Sequence, residues 1–288
     1  MLNYFPIMHQ AEKEPFFASK PHEEVIFVKT GVSTACFYPM LTELSLISLL
    51  EMGVTDLEIF FNTSSELDKK FIRGMRHSLK KYGGKVHSIH PYSSMMEPFM
   101  FFSNYERRFN DMIDDYKRYF EAANMLNADI IVIHGDRLPA HSPDEKYFER
   151  FNMIIECGKK EGVTVAQENV NLHRSQNPDF LRRMREWIGE DCKFVYDIKQ
   201  AVRASYDPYY FAEQLGSDIK HIHVNDNNPS STCLLPGKGL MDYAKLRDII
   251  CGNGCDPAWI IEVYRSNFGD GEELRDALKL LTKVVTSK

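Results

Sequence analysis

The chain has 288 residues, of which 43% are hydrophobic and 26% are charged, proportions that exclude extensive disorder and allow a sizeable core. Its formal net charge of −6 argues against nucleic acid as a partner, because binding to a phosphate backbone depends on an excess of Lys and Arg. Residues 1–15 lack the features of a secretory signal, and no apolar run approaches the ~18 residues of a membrane span, so we expect a cytoplasmic protein without a membrane partner.

From about residue 26 onward, short apolar runs rich in β-branched residues alternate with segments that have the three- and four-residue spacing of amphipathic helices. In chain order, strands are predicted near residues 25–33, 55–61, 85–91, 128–135, 163–170, 193–198, 219–226 and 258–264. Helices are predicted at residues 40–53, 66–84, 105–127, 145–162, 178–189, 208–216, 242–254 and 272–285. Several helical segments end in glycine just before the next strand, as expected of a left-handed residue that closes a helix.

This alternation predicts an α/β fold, a single (β/α)8 TIM barrel over residues 26–288, preceded by an N-terminal extension of residues 1–25. The strands are near-continuous apolar runs, which fits a barrel whose strands are buried on both faces. A doubly wound open sheet is the alternative architecture. It normally carries a GxGxxG phosphate loop after the first strand, where this chain reads KTGVSTAC.

Acidic and imidazole residues interrupt the middle or the C-terminal part of most of the predicted strands. They are Glu58, His90, His134, Glu168, Asp197, His223 and Glu262. The C-terminal ends of all strands of a parallel barrel converge on one face, so these side chains could surround a single mouth. Any one of them alone is explained as well by a hydrogen-bonded or half-solvated strand end. Their shared position and their metal-ligand chemistry together favour a common site.

Asp197 ends the apolar strand FVYD, where burial of an unpaired carboxylate would be costly. Crowded carboxylates without a cation would also repel one another, and a divalent metal ion removes that conflict. One candidate set is Glu168, Asp197, His223 and Glu262. Three carboxylates and one imidazole suit Mn²⁺, Mg²⁺, Co²⁺ or Zn²⁺. Four protein ligands leave positions open for substrate oxygens, which is typical of a catalytic metal site.

The segments QENV, VYDIKQA, HIHVND, LPGKG and IIEVY, in this order and spacing, resemble the sugar-phosphate isomerase/epimerase superfamily, which has a xylose isomerase-like TIM barrel. The resemblance implies that the metal ligands of that family correspond to Glu168, Asp197, His223 and Glu262. It also implies that Glu168 and Glu262 form the acid/base pair, as in the ketose epimerases. Asp226 matches a common H-x-x-D pattern, and we expect it to make a hydrogen bond near the site rather than to bind the metal.

One departure from the family concerns the sixth strand, where many members carry Asp-x-x-His and this chain has Asp197-Ile-Lys-Gln200. Gln200 can hydrogen-bond a substrate hydroxyl, but it cannot act as an imidazole ligand or proton carrier. The departure also disfavours an AP endonuclease-like enzyme of the endonuclease IV type, because the third zinc of that branch uses the missing histidine. The segment after the seventh strand contains no histidine either.

Five further residues are candidates for substrate binding, namely His90, His134, Gln200, Lys238 and Arg265. His90 and His134 are predicted to contact substrate, with a second metal bound together with Glu168 as the alternative. Lys238 and Arg265 fall in loops that would border the mouth and could meet a phosphate or a carboxylate. Both also fit the simpler interpretation of solvated loop cations.

The resemblance implies a metal-dependent isomerase or epimerase of a sugar or sugar phosphate, which acts through an enediolate in carbohydrate metabolism. A dehydratase of a keto-polyol such as an inosose would use the same early chemistry, and a non-catalytic sugar-binding barrel is a further alternative. The expected partner is a small sugar or polyol. The sequence leaves open the choice of sugar, the choice of metal and whether the protein is a homo-oligomer.

Overall fold

The computed structural model describes residues 28–140 and 142–287. The predicted extension of residues 1–25 lies outside this part of the chain, as does the beginning of the first predicted strand. Among the described residues, no helix is both long and apolar enough to cross a bilayer.

Eight parallel strands close into a barrel. In chain order they are β1 (Lys29–Ser33), β2 (Asp56–Phe60), β3 (Lys85–His90), β4 (Ile130–Ile133), β5 (Thr164–Glu168), β6 (Lys193–Asp197), β7 (Ile219–Val224) and β10 (Ala258–Ile261). Two further strands, β8 (Asp226–Asn228) and β9 (Ser231–Leu234), form a separate hairpin. The order around the barrel is β1-β10-β7-β6-β5-β4-β3-β2. Each barrel strand falls within a predicted range, and the closed order excludes the doubly wound open sheet. The predicted TIM barrel is confirmed.

Helices surround the barrel. They are α1 (Thr42–Glu51), α2 (Lys69–Tyr82), α3 (Glu97–Met100), α4 (Glu106–Leu126), α5 (Asp144–Lys160), α6 (Pro178–Ile188), α7 (Ile198–Arg203), α8 (Pro208–Leu215), α9 (Tyr243–Gly252) and α10 (Gly271–Thr286). The longer helices bury the apolar side of their helical repeat. In α2, for example, Ile72, Met75 and Leu79 are buried at intervals of three and four residues.

The sequence did not predict α3, α7 or the antiparallel hairpin of β8 (Asp226–Asn228) and β9 (Ser231–Leu234). All three lie in segments that follow the C-terminal ends of barrel strands. They are too short for a periodic pattern to identify. Two of them, α7 and the hairpin, directly follow the strands that carry Asp197 and His223.

The core has two parts. A large apolar cluster fills the space between the barrel and its helices. A small separate cluster, Ile130, Val132, Ala166 and Val195, fills the inside of the barrel. Because side chains alternate between the two faces of a strand, the residue two positions after Ala166 or Val195 also points into the barrel. Those residues are Glu168 and Asp197.

Candidate active site

Four predicted ligands meet at the C-terminal end of the barrel. Glu168, Asp197, His223 and Glu262 each offer one donor atom, and these atoms lie within 4.8 Å of one another. His223 Nδ1 is 3.1 Å from Glu168 Oε1, 3.9 Å from Asp197 Oδ2 and 3.7 Å from Glu262 Oε2. Such separations suit ligands that share one small divalent ion at bond lengths of about 2 Å.

Strand register explains why these residues meet. Asp197 on β6 is the direct partner of His223 on β7, and His223 is the partner of Ile260 on β10. Glu262 lies two residues after Ile260 and therefore has its side chain on the same face. The four residues therefore lie on the inward face of four adjacent strands, at the end of the strand or, for Glu262, just after it.

The carboxylate of Asp197 is oriented by its own backbone turn. Its Oδ1 accepts hydrogen bonds from Gln200 N at 3.2 Å, where it caps α7, and from Asn225 Nδ2 at 3.1 Å. Its Oδ2 is left facing the cluster. Burial is the main cause that raises the pKa of the Asp197 carboxyl. Lys199 opposes this effect, and repulsion from Glu168 and Glu262 adds to it.

The carboxylate of Glu58 contacts the imidazole of His223 on the side away from the four-residue cluster. His223 Nε2 lies 3.0 Å from Glu58 Oε2, so that Nδ1 faces the four-residue cluster. A carboxylate behind a ligating histidine fixes its tautomer and ring orientation. Ser88 Oγ donates to Glu58 Oε2 at 2.7 Å, and His221 Nε2 is 3.2 Å from the same oxygen. The sequence analysis placed Glu58 at the mouth, but this fully buried side chain lies deeper in the barrel.

Glu58 and His223 shift each other's pKa in opposite directions. Burial opposes the charge on both groups. The Glu58 carboxylate and the neighbouring glutamates nevertheless hold the pKa of His223 well above its usual range. His223 and His221 likewise hold the pKa of Glu58 well below its usual range. A positively charged His223 can donate one N–H to Glu58 and the other to Glu168.

His90 and His134 form a second group around Glu168. His134 Nε2 lies 2.9 Å from Glu168 Oε2 and 3.0 Å from His90 Nε2. Although burial raises the pKa of Glu168, His134 and the other imidazoles hold it well below its usual range. The three residues have the spacing of a metal site as well. Substrate contact and a second metal therefore both remain compatible with their positions.

One residue of the four-residue cluster and one of the second group are accessible from solvent. The side chain of Glu262 is 13% exposed and that of His134 is 22% exposed, whereas those of Glu168 and Asp197 are 2% exposed or less. A small molecule would therefore approach past Glu262 and His134.

Lys199 is a member of the site that the sequence analysis missed. Its Nζ lies 3.1 Å from Asp197 Oδ2 and 2.9 Å from Glu262 Oε2, and the residue is only 4% exposed. Although burial lowers the pKa of Lys199, the two carboxylates raise it well above its usual range. The available signal was a lysine in the apolar segment FVYDIKQAV, where a buried charge needs partners.

The three other predicted substrate contacts lie outside the cluster. Gln200 Oε1 accepts a hydrogen bond from Asn171 N at 3.1 Å, which ties the loops after β5 and β6 together. Arg265 is exposed and donates to the carbonyl oxygens of Phe268 and Gly269 at 2.7 Å and 3.1 Å. Lys238 is exposed.

Asp226 holds the loop that contains Lys238, as the expected hydrogen-bonding role requires. Its Oδ2 accepts from Gly237 N at 2.9 Å and from Gly239 N at 3.0 Å. A Cβ atom on Gly239 would lie 2.3 Å from Asp226 Oδ1, so only glycine fits there. Its Oδ1 accepts from Asn227 N and Met241 N as well, so both oxygens of this carboxylate are bound to backbone N–H groups.

The donor set fits a divalent metal ion. Within the described part of the chain, four buried side-chain oxygens accept no hydrogen bond of good geometry, and the first two of them are candidate ligand atoms: Glu168 Oε2, Asp197 Oδ2, Glu58 Oε1 and Asn225 Oδ1. Oxygen and imidazole donors of this kind suit hard and borderline divalent ions.

Glu97 is a buried acid that supports His134 through the backbone. Its Oε2 accepts from Gly135 N at 2.6 Å, and its Oε1 accepts from Tyr116 Oη at 2.6 Å. Burial raises the pKa of Glu97 from 4.5 to about 7, against the opposing effects of His134 and these donors. The folded state thus retains a proton that the unfolded chain loses between pH 4.5 and about 7.

Ionisation of the buried Glu97 destabilises the folded protein more as the pH rises, and Glu97→Gln is expected to remove this effect. The pKa of Glu97 is higher in the folded state than in the unfolded chain. Its contribution to the stability of the wild type is therefore fully present below pH 4.5 and decreases as the pH rises to about 7. The stability of the variant relative to wild type should rise by about 3 kcal/mol from pH 4.5 to pH 8. Urea unfolding at both pH values measures this difference. Glu213→Gln, on the exposed side of α8, is the control. A difference for Glu97→Gln that does not change with pH would contradict the assignment.

Comparison with known proteins gives a consistent family assignment. A family model described as the xylose isomerase-like TIM barrel matches residues 48–284. An uncharacterised protein of Mycobacterium leprae is 21% identical over 272 residues, which cover 85% of this chain and 92% of the relative.

Solved structures share the fold. A D-tagatose 3-epimerase-like protein has a TM-score of 0.74 and 22% identity, over 89% of this chain and 98% of that chain. The probable 3-DHS dehydratase AsbF of Bacillus anthracis, involved in petrobactin synthesis, has a TM-score of 0.69 and 16% identity, over 90% of this chain and 99% of that chain. At these identities the similarity shows the fold alone.

Proposed function

Because the chain belongs to the xylose isomerase-like TIM-barrel family, we propose that it is a metal-dependent isomerase or epimerase of a sugar or sugar phosphate. The observation that carries this proposal is the pair Glu168 and Glu262, two carboxylates with oxygens within 4.8 Å of each other in one barrel mouth. The epimerase-like protein among the structural neighbours supports the same reaction class.

Glu168 and Glu262 would exchange the proton on carbon. Because the surrounding imidazoles and Lys199 lower the pKa of both carboxyls, both are ionised and able to accept a proton near neutral pH. One removes the proton next to the carbonyl of the substrate to give an enediolate. The other returns a proton to the opposite face in an epimerisation, or one of them returns it to the neighbouring carbon in an isomerisation.

His134 can connect Glu168 with solvent. Its Nε2 lies 2.9 Å from Glu168 Oε2, and its side chain is 22% exposed. The proton gained by Glu168 in one turnover can leave through this imidazole before the next. His90 contacts both groups and is buried, so it orients them rather than exchanging protons with water.

Glu168, Asp197, His223 and Glu262 would hold the divalent ion, which when bound supplies Lewis-acid polarisation of the substrate carbonyl. Mn²⁺, Mg²⁺, Co²⁺ and Zn²⁺ all accept such ligands. Glu58 supports His223 in the orientation that this role needs.

Hydrogen exchange tests the proposal directly. The purified protein is stripped of metal, loaded with Mn²⁺ and incubated in heavy water with a panel of ketoses and ketose phosphates. We expect deuterium at a carbon next to the carbonyl of at least one compound, together with a product of equal carbon skeleton and formula. Addition of EDTA should stop the exchange. Absence of exchange across the panel, with metal bound, would refute the proposed reaction.

A metal-dependent dehydratase of a keto-polyol such as an inosose is the second candidate. The observation that favours it is Gln200, which stands where many members of the family have a histidine, a departure that fits a different substrate or reaction. A dehydratase is also among the structural neighbours. The same proton removal would be followed by loss of water, which yields an absorbing unsaturated ketone with a mass lower by one water. Mass spectrometry and ultraviolet absorbance distinguish the two products.

A further inference from the structure

The buried mouth of the barrel contains its own cation. Four carboxylates lie there within short contact of one another or of shared imidazoles, on Glu58, Glu168, Asp197 and Glu262. Lys199 is the lysine that reaches them. Isolated buried charges are costly, and its ammonium compensates part of this negative charge before any divalent ion binds.

Lys199 contacts the same oxygens that the metal would need. Its Nζ lies 3.1 Å from Asp197 Oδ2 and 2.9 Å from Glu262 Oε2. These two oxygens are also the ones that face His223 Nδ1, at 3.9 Å and 3.7 Å. Two of the four candidate ligand atoms are therefore already paired with an ammonium.

The contacts of Lys199 are fixed by the fold. The backbone turns at Asp197, which ends β6 and caps α7, and this turn directs Lys199 back over the strand end. The lysine is 4% exposed, so water does not solvate its ammonium group. A divalent ion on the same oxygens would place a second cation a few ångströms away, where the repulsion is strong because little water screens it.

We propose that Lys199 is an intrinsic counter-ion that competes with the divalent metal for Asp197 and Glu262. Metal binding then requires the ammonium to leave these two oxygens, and the affinity for metal is lower than the four ligands alone would give. The ring of Tyr264 is half exposed to solvent, and its centroid already lies 5.4 Å from Nζ. This cation–π contact can hold the ammonium after it leaves the two oxygens. This inference concerns the metal site of the proposed function, but its test requires no turnover.

Metal affinity measures the competition. Metal-free wild type, Lys199→Met and Lys199→Arg are titrated with Mn²⁺ by isothermal calorimetry. Lys220→Met is the control, because Lys220 is exposed at the beginning of β7, the end of the strand away from His223. Lys199→Met is expected to bind Mn²⁺ at least about tenfold more tightly than wild type. Lys199→Arg and Lys220→Met should not gain affinity. An affinity of Lys199→Met equal to or below that of wild type would overturn the proposal.

A second measurement uses the wild-type protein and covers the case in which Lys199→Met does not fold. A buried, ion-paired ammonium exchanges slowly with water and gives a distinct lysine side-chain signal in ¹⁵N NMR. We expect one such signal in the metal-free protein, absent from Lys199→Arg, and its shift or loss on saturation with diamagnetic Mg²⁺ or Zn²⁺. A signal unchanged at full metal occupancy would contradict displacement of Lys199. Failure of the sugar exchange test would leave both of these results unaffected.

Discussion

Glu262→Gln is expected to lose turnover by about a thousandfold or more, since general acid–base groups typically contribute 10²–10⁴-fold. Glutamine keeps the size of the side chain and one oxygen, but it cannot accept the proton from carbon at neutral pH. Substrate binding should persist at least in part, because the rest of the mouth is unchanged. The reaction rate, with the substrate found by the heavy-water exchange, and a parallel binding titration separate the two effects.

The remaining carboxylate gives this variant a specific signature. If Glu168 and Glu262 work on opposite faces of the carbon, Glu262→Gln should still exchange the proton of one epimer with heavy water, through Glu168. Glu168→Gln should exchange the proton of the other epimer. Elemental analysis of both variants controls for loss of metal, and Glu213→Gln controls for a surface change of the same kind. Full turnover by metal-loaded Glu262→Gln would refute its assigned role.

The barrel could be predicted because its strands are buried on both faces, whereas its helices are buried on one face only. That difference appears in the sequence as continuous apolar runs between segments of helical spacing, and each predicted strand contains one observed strand. The closed topology then follows from eight such units. The positions of Glu168 and Asp197 also follow, since both are the last residues of their strands.

Lys199 could not be placed in the same way. It belongs to α7, a helix of six residues, in which no periodicity indicates the buried side. Whether its long side chain points to solvent or folds back depends on the turn that Asp197 caps and on Glu262, 63 positions later in the chain. Contacts of this kind depend on tertiary structure rather than on a local pattern.

Glu58 lies deeper along the barrel axis than the sequence predicted. The sequence correctly groups it with polar residues on the inward face, but a pattern with a period of two cannot say how far along the barrel axis a residue lies. The stagger of the strands sets that position. It places Glu58 beside Ser88 and in contact with His223, a candidate ligand, instead of at the mouth.

Arg174 shows that the loops around the mouth also depend on a buried charge that no motif revealed. Its Nε donates to Asp136 Oδ2 at 3.1 Å, and its Nη1 donates to Asp144 Oδ1 at 2.7 Å. Its Nη2 donates to the carbonyl oxygen of Ser142. The side chain is 3% exposed. The guanidinium thus joins the loop after β5 to the segment between β4 and α5, and this segment begins at His134.

Arg174→Leu is expected to lower the free energy of unfolding by about 3–5 kcal/mol, because the buried guanidinium loses its ion pairs with Asp136 and Asp144 and its hydrogen bond to the carbonyl oxygen of Ser142 together. Arg183→Leu is the matched control. Arg183 also pairs with Asp144, at 2.6 Å, but its side chain is 48% exposed, so that its loss should cost at most about 1 kcal/mol. Urea unfolding of the two variants and wild type at pH 7 measures both values. If the two substitutions proved equally mild, Arg174 would not be the group that holds these loops together. A large effect confined to Arg174→Leu would show that the stability of the fold depends on a buried charge network outside the candidate metal site.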